Sequence, residues 1–330
     1  MNSNIEEIYP HIYKFSLSIP VPLKAINIYL FKGSNGWTIV DCGFHNNESE
    51  TAWLQVFEAL NIKYNEVSQI VVTHYHPDHY GGAGWLQELT GAPVILLDLE
   101  KKNIERMWQN TTYASRKKQF YLKYGIPEDI ALIIEDEHIR RYEAVSPHPS
   151  EILLLTSGDE IQLGDYEFKT MWSPGHTEGL MTFWSEKEAI FLANDLVLPK
   201  ITPNIALNPD SVPNPLNDFL TSLRKIRDLP AEITLPGHRQ IIPNLSKRVD
   251  EIIAHHGDRL ELVTNILKSK QESSDNVVSA WDISKELFGP LKEPIQHRFA
   301  FAETLSHLEY LVHSNEIKKM QTDNKYFYYM

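Results

Sequence analysis

Short apolar runs bounded by turn residues alternate with polar stretches along the first hundred residues and predict β-strands. These predicted strands lie at residues 25–30, 37–40, 69–73 and 93–97. The turn-forming stretch KGSNG joins the first two runs and predicts a hairpin. Between the second and third runs, residues 48–60 place Trp53 and Phe57 on one face and predict a helix. The beginning of the chain therefore combines strands with at least one helix.

Residues 100–148 interrupt this pattern with a helical, charged and aromatic segment. A break at GIP, residues 125–127, predicts a second helix that begins at Pro127. Long insertions between strands usually have a function, so we expect this one to be a helical lid over a substrate site. Further strands are predicted at residues 152–155, 167–172, 181–184, 189–192 and 233–235. Strands with flanking helices indicate a layered α/β domain over residues 1–245.

The pattern changes again over residues 246–330, where we expect a small second domain. Its predicted elements are an apolar helical stripe over 249–267, helices near 281–288 and 299–313, and a hairpin formed by 317–320 and 326–329. Three helices with a two-stranded hairpin predict a winged-helix-like module. Its 11 basic and 13 acidic residues leave it without the positive charge typical of a DNA-binding domain. We expect it to pack against the first domain or to form a homodimer.

The composition limits the partners of the protein. The chain has 31 Lys and Arg residues against 44 Asp and Glu residues, a net charge of −13. Such a surface repels phosphate backbones, so nucleic acid is not expected as a partner, although a local groove for single-stranded RNA stays open. Cys42 is the only cysteine, there is no signal-peptide pattern, and no apolar run is long enough to cross a membrane. We therefore expect a cytoplasmic protein with a small-molecule substrate and no membrane partner.

The densest chemical pattern is HYHPDH at residues 74–79, directly after a predicted buried strand. His74 and His76 are two residues apart, so an extended backbone directs both side chains to the same side. Asp78 and His79 follow the turn made by the proline and can point to a second position. Imidazoles with a carboxylate suit zinc, and suit iron or manganese less specifically. The pattern therefore predicts a metal site.

Three later groups also follow predicted strands. They are His176 in SPGHT, Asp195 in ND and His238 in PGH. Loops at the ends of neighbouring strands gather at one edge of a layered protein, so these side chains are expected near residues 74–79. Together they supply enough groups for two metal ions.

With these residues the chain resembles the metallo-β-lactamase superfamily. HYHPDH matches the family signature His-X-His-X-Asp-His, and the later residues follow in the family order over about residues 8–245. The resemblance implies an αββα sandwich with a helical lid insertion and a binuclear site. The tail resembles the winged-helix-like C-terminal domain of the subgroup that includes β-lactamase-like protein 2 and glyoxalase II-like proteins.

The resemblance also implies the ligand sets and two zinc ions per chain, with iron or manganese as alternatives. One ion would be held by His74, His76 and His176, the other by Asp78, His79 and His238, with Asp195 shared between them. Asp41, in VDCG, resembles an early Asp-X-Gly element of the family that supports the ligands from behind.

These residues predict a hydrolase. The chain has no Gly-X-Ser-X-Gly nucleophile motif, and nothing in the sequence activates Cys42. A bound divalent ion lowers the pKa of water to about 7, so the expected nucleophile is a metal-bridging hydroxide. Asp78 is expected to orient it and to carry a proton in addition to being a ligand. The expected substrate is a small ester, thioester or lactone.

Several alternatives stay open at this point. A metal-dependent ribonuclease or phosphodiesterase is one, because the C-terminal module resembles that of a ribonuclease-like subgroup. Dehalogenation or lactam cleavage would use the same hydroxide. An iron-dependent oxidoreductase similar to persulfide dioxygenases would hold one iron instead of two zinc ions. A protein that only binds a ligand is disfavoured by the complete ligand set.

Other residues have a functional and a structural interpretation. Tyr80 either stabilises an oxyanion or packs behind the loop, and packing is favoured. His255 and His256 are expected to fill a core or an interface. Five lid aromatics either wall the pocket or pack helices, namely Trp108, Tyr113, Phe120, Tyr121 and Tyr124. The basic stretches Arg116-Lys117-Lys118 and Arg140-Arg141 either bind an acidic substrate or, as we expect of short basic runs, face solvent.

Overall fold

The first sheet has seven strands and carries the predicted hairpin. The computed structural model describes residues 5–19, 23–273 and 277–330. In spatial order the strands are β1 (Glu6–Tyr9), β2 (Ile12–Ser18), β3 (Ala25–Gly33), β4 (Gly36–Val40), β5 (Val67–Val71), β6 (Val94–Leu97) and β7 (Ile152–Leu155). Strands β1 to β4 are antiparallel, and β4 to β7 are parallel. Strand β5 ends two residues before the predicted limit, since the Thr73 N–H bonds to the Asp41 side chain instead of a neighbouring strand.

The second sheet has five strands and faces the first. Its order is β12 (Ile233–Pro236), β11 (Ile190–Asn194), β10 (Met181–Ser185), β9 (Tyr166–Trp172) and β8 (Glu160–Leu163). Only β11 and β12 are parallel. Buried side chains of both sheets, such as Tyr29 and Phe31 from the first and Phe168 and Phe183 from the second, form one core cluster between the sheets.

Helices cover the outer face of each sheet. Those before the lid are α1 (Asn47–Ala59), the short α2 (Pro77–Tyr80) and α3 (Ala83–Thr90), with a 3-10 turn at Tyr64–Glu66. Helix α1 buries Trp53 and Phe57 against the first sheet. On the second sheet, α7 (Pro215–Ile226) packs Phe219 in a cluster with Phe191 of β11. The layers therefore follow the order helix, sheet, sheet, helix, which confirms the predicted fold class.

The segment between β6 and β7 is helical, as predicted for the lid. It contains α4 (Asp98–Met107), α5 (Tyr113–Lys123), α6 (Glu128–Arg140) and a 3-10 turn at Glu143–Val145. The predicted start of the second helix was wrong by one residue, because Pro127 has an extended backbone and precedes the helix as its N-cap.

The last part of the described chain contains the predicted elements. They are α8 (Leu245–Ser273), α9 (Ala280–Phe288), α10 (Pro294–His313), β13 (Lys318–Thr322) and β14 (Lys325–Tyr329). Helix α8 contributes Val249 and Ile252 to the core beside the second sheet and Val263 and Leu267 to a separate cluster. That second cluster also contains Tyr121 of the lid, so the lid packs on the C-terminal helices. The domain limit at 245/246 and the winged-helix arrangement stay predictions. No helix in the described ranges is both long and apolar enough to span a bilayer.

Candidate metal centre and its pocket

The structure brings together all seven residues that were predicted as metal ligands. Their potential ligand atoms form three overlapping groups, and the atoms within each group lie within 4.8 Å of one another. These groups are His74, His76 and His176; His74, His79 and Asp195; and Asp78, His79 and His238. They lie directly after β5, β9, β11 and β12, in loops and in the short helix α2, so the strand ends meet at one edge as expected.

Asp195 lies between the two outer groups. Its Oδ2 is 3.5 Å from His176 Nε2, 3.6 Å from His79 Nε2 and 3.3 Å from His238 Nε2. On the other side, Asp78 Oδ2 is 3.5 Å from His238 Nε2. A carboxylate in this position contacts both groups, which is the arrangement predicted for a shared ligand.

Four of these atoms are buried and have no hydrogen-bond partner among the described residues. They are the Nε2 atoms of His79, His176 and His238 and Oδ1 of Asp195. Buried polar atoms are nearly always hydrogen-bonded, so a cluster of unpartnered ones needs an explanation. Imidazole nitrogens and carboxylate oxygens that face one another are the donor set of zinc and similar ions. The residues present therefore fit a metal centre.

In the three histidines with an unpartnered Nε2, the other ring nitrogen, Nδ1, contacts an oxygen atom, which leaves Nε2 free. The three pairs are His79 Nδ1 with Asp41 Oδ2 at 2.7 Å, His238 Nδ1 with Ala25 O at 2.7 Å, and His176 Nδ1 with Asn204 O at 3.0 Å. Such contacts orient an imidazole and favour the tautomer with a lone pair on Nε2. His76 differs, because its Nδ1 lies 3.0 Å from His74 Nε2 on the inner side of the cluster.

Asp41 has the supporting position that the sequence resemblance implied. Its backbone is left-handed, with φ of 65°, and its carboxylate is buried. It accepts hydrogen bonds from the backbone N–H of Thr73 at 2.9 Å and from the Thr73 hydroxyl at 3.0 Å, in addition to its contact with His79. It therefore ties the start of the histidine loop to the end of β4.

Burial and the neighbouring charges shift the pKa values of the clustered histidines in opposite directions. Burial and the neighbouring imidazoles hold the pKa of His74 and His76 well below its usual value. Burial also opposes protonation of His79, but the nearby carboxylates of Asp41 and Asp195 outweigh it and raise the His79 pKa. His74 and His76 are therefore neutral near pH 7, which is the form that binds metal.

Two supporting residues were missed by sequence reasoning. A Cβ on Gly237 would lie 2.1 Å from Asp195 Oδ1, so only glycine fits behind that carboxylate. Glu100, at the start of the lid, is buried and accepts hydrogen bonds from Tyr75 N at 2.8 Å, Thr177 Oγ1 at 2.7 Å and Gly179 N at 2.8 Å. It joins the two histidine loops, and burial raises its pKa to about 7. The tripeptide PGH could have indicated the role of Gly237, because the glycine directly precedes a candidate ligand. No motif near Glu100 indicates its role.

The candidate metal centre lies in a cavity of about 490 Å³. His76, Asp78, His176 and Asp195 line it together with lid and C-terminal side chains. Of the five lid aromatics, Trp108 and Tyr121 line the cavity. Phe120 and Tyr124 instead pack in the cluster shared with the C-terminal helices, and Tyr113 is fully buried. Both interpretations of the lid aromatics are therefore correct for part of the set.

The C-terminal part of the chain also supports the centre. Asn204, whose carbonyl contacts His176, donates from its side chain to Glu303 Oε2 at 3.1 Å and to the Phe299 carbonyl at 3.2 Å. Both acceptors lie on α10. The segment between Asp195 and α7 thus connects α10 to a histidine of the cluster.

The remaining ambiguous residues are structural in the fold. The Tyr80 hydroxyl pairs with His148 Nδ1 at 2.9 Å and does not line the cavity. His256 is buried, with Nδ1 3.1 Å from His307 Nε2, and belongs to none of the candidate metal groups among the described residues. Cys42 is buried as well, and burial raises the pKa of its thiol.

The basic stretches divide between solvent and the cavity. Arg116, Lys118 and Arg140 form ion pairs with Asp210, Glu135 and Asp136 respectively. Lys117 and Arg141 line the cavity instead. The expectation that these runs face solvent was therefore wrong for these two residues, because helix packing turns them inward.

Two facing sheets between helices, with histidines and carboxylates gathered at one edge, define a metal-binding α/β sandwich. The chain belongs to the metallo-beta-lactamase superfamily, whose family model matches residues 21–238. A second model, described as metallo-beta-lactamase-like, C-terminal domain, matches residues 268–330 and confirms that a C-terminal domain is present.

Two relatives and one solved structure are similar to this chain over most of its length. A probable metallo-hydrolase, YqjP of Bacillus subtilis, is 26% identical over 315 residues, which cover 90% of this chain and 91% of the relative. The atrochrysone carboxyl ACP thioesterase of Aspergillus fumigatus is 23% identical over 288 residues, which cover 84% of this chain and 72% of the relative. The crystal structure of the metallo-beta-lactamase family protein TTHA1429 from Thermus thermophilus matches with a TM-score of 0.86 and 32% identity, over 98% of this chain and 99% of that one.

Proposed function

We propose that the protein is a binuclear, zinc-dependent hydrolase of a small ester, thioester or lactone. The observation that carries the proposal is the cluster of buried, unpartnered Nε2 and Oδ1 atoms, of which those of His176 and Asp195 belong to residues that line the cavity. His74, His76 and His176 would hold one ion, and Asp78, His79 and His238 the other. Asp195 would be shared, since its carboxylate lies between the two groups.

Side chains of the cavity would transfer the proton and form the apolar wall during hydrolysis. When bound, the metal ions would lower the pKa of water and polarise the scissile carbonyl. Asp78 lines the cavity and retains some exposure, so its Oδ2 is placed to accept a proton from water and to pass it to the leaving group. Met107 and Trp108 line the cavity and present largely apolar surface to a substrate.

The shape of the site supports a small acyl substrate. The cavity is within the range of roughly 300–1,000 Å³ that is typical of small-molecule sites. A metallo-hydrolase and a thioesterase are among the named relatives that cover most of the chain. An RNA strand would need an open basic groove, whereas the chain is acidic and the cavity is small.

The experiment compares ligand variants with a histidine outside the site. His176→Ala and Asp78→Ala are each expected to lose bound metal, measured by elemental analysis, and to lose hydrolysis of a panel of aryl esters, thioesters and lactones. His313→Ala is the control, because His313 is exposed and bonds only within α10. Full metal content and full hydrolysis in both ligand variants would contradict the proposal.

A further inference from the structure

Lys117 on α5 is a buried lysine without a carboxylate partner. Its side chain is only 4% exposed and lines the cavity of the candidate metal centre. In the described ranges it forms no ion pair, and its ammonium lies 5.9 Å from the centre of the Tyr121 ring. Burial of an unpaired ammonium is costly, so lysine is almost never found in such a place without a counter-charge.

Three arginines line the same cavity and make the site more positive, namely Arg141, Arg298 and the exposed Arg239. Arg141 follows α6, and Arg298 lies on α10. Both contact the single carboxylate of Glu137, to which Arg141 donates a hydrogen bond and from which Arg298 Nε lies 3.3 Å away. The two arginines therefore share one carboxylate, and no ion pair compensates Lys117 in the described part of the chain. Glu303, which also lines the cavity, bonds to Asn204.

The electrostatics of the three cations agree with this geometry. Burial, followed by the charges of Arg298 and Arg141, holds the pKa of Lys117 well below its usual value. Burial and the charge of Arg298 lower the pKa of Arg141 to about 10. Holding these positive groups together in a buried place destabilises the folded protein, and a bound anion would offset that destabilisation.

The cationic cluster and the candidate metal centre open into one space. His76 and Asp78 line the cavity that Lys117, Arg141 and Arg298 line. Apolar side chains, among them Met107 and Phe299, form other parts of the wall. A small molecule bound in this cavity therefore faces both the three cations and the candidate metal centre.

We propose that Lys117, Arg141 and Arg298 form an anion subsite, and that the substrate is an ester or thioester whose acyl part ends in a carboxylate or phosphate. The anionic end binds the three cations, the apolar spacer contacts the wall, and the scissile carbonyl lies at His76, Asp78 and His176. This substrate class rests on the hydrolase function proposed above. The subsite itself does not, since its cations are placed by the lid and by α10.

The first experiment measures anion binding without catalysis. The full-length protein, both as purified and after metal removal with a chelator, is titrated calorimetrically with glutarate, inorganic phosphate and neutral dimethyl glutarate. Glutarate or phosphate is expected to bind and dimethyl glutarate is not, and the tighter anion identifies the head group. Lys117→Met and Arg298→Gln are expected to weaken binding about tenfold to a hundredfold, as loss of a charged hydrogen bond predicts.

Neighbouring residues supply matched controls. Arg116→Met and Arg140→Met remove positive charges directly beside Lys117 and Arg141, but these exposed side chains pair with Asp210 and Asp136 and do not line the cavity. They are expected to bind anions like the unmodified protein. Lys117→Met is also expected to raise the melting temperature, because it removes an uncompensated buried charge, so weakened binding in that variant is not a folding defect.

The second experiment compares p-nitrophenyl hydrogen glutarate with its methyl ester as substrates. The acid is expected to have the lower KM, and Lys117→Met is expected to remove that preference. If anions bind through Lys117 but no ester, thioester or lactone is hydrolysed, the hydrolase function fails and the subsite stands. Equal anion binding by Lys117→Met and the unmodified protein would overturn the subsite. Lys117-dependent binding of a single-stranded RNA tetranucleotide more tightly than glutarate would also overturn it, in favour of a nucleic-acid site.

Discussion

Gly237→Ala tests the close packing behind the candidate metal centre. A Cβ at this position would lie 2.1 Å from Asp195 Oδ1 and 3.1 Å from Cε1 of His79. Contacts shorter than 3.0 Å essentially never occur, so Asp195 or the backbone of the PGH loop must move by close to 1 Å. The glycine has no left-handed backbone that would explain its presence otherwise. Its role is therefore to let the loop approach the shared carboxylate.

A displacement of about 1 Å at a reacting centre costs on the order of a hundredfold in rate. We expect Gly237→Ala to lose about that factor in kcat/KM and to hold less metal per chain by elemental analysis. Gly257→Ala is the matched control, because Gly257 is exposed on α8 and an added Cβ there meets nothing within 4 Å. It should gain about 0.5–1 kcal/mol in stability with unchanged activity. Unchanged metal content and activity in Gly237→Ala would refute this account of the packing.

Three more substitutions test the supporting contacts. Tyr80→Phe should lower the unfolding free energy by about 1 kcal/mol, because His148 loses its hydrogen-bond partner. It should leave kcat within twofold of the unmodified value. A hundredfold fall in kcat would instead indicate that the Tyr80 hydroxyl stabilises an oxyanion. Glu100→Gln replaces one carboxylate oxygen, which now accepts backbone hydrogen bonds, with an amide NH2 that would face the same N–H donors. Denaturant titration should therefore show an unfolding free energy lower by about 1–3 kcal/mol, and kcat/KM should fall. Full activity would exclude a positioning role. Burial lowers the pKa of His256 to about 3 from 6.5, so the unfolded chain binds a proton that the native protein excludes. The contribution of His256 to the unfolding free energy is therefore fully present above pH 6.5 and is reduced by about 2 kcal/mol at pH 5. His256→Phe should reduce the dependence of the unfolding free energy on pH. An equal pH dependence of both proteins in denaturant titrations would contradict this.

The candidate metal centre was predictable because its signal is local. HYHPDH places four ligand groups within six residues, and His176, Asp195 and His238 each follow an apolar strand. Strand ends in a layered fold meet at one edge, so the position of each residue after its strand already determines that the groups converge. The alternation of strands and helices predicted a layered α/β domain, and the resemblance to the metallo-β-lactamase superfamily implied the αββα order of its layers.

The cationic part of the cavity wall was not predictable in the same way. Arg116, Lys117 and Lys118 are adjacent in sequence, yet only Lys117 turns into the cavity. The direction depends on how α5 packs on the C-terminal helices, a contact between residues far apart in the chain. Arg298 reaches the cavity from α10 for the same reason. Periodicity within one segment contains no information about such contacts.

Metal content per chain tests the central claim most directly. The protein is purified without added metal, and zinc, iron and manganese are measured by elemental analysis beside His176→Ala. The account predicts about two zinc ions per chain and a clear loss in the variant. One iron per chain would contradict the binuclear hydrolase and favour oxygen-dependent sulfur chemistry. No bound metal, with none taken up on titration, would contradict the metal centre itself.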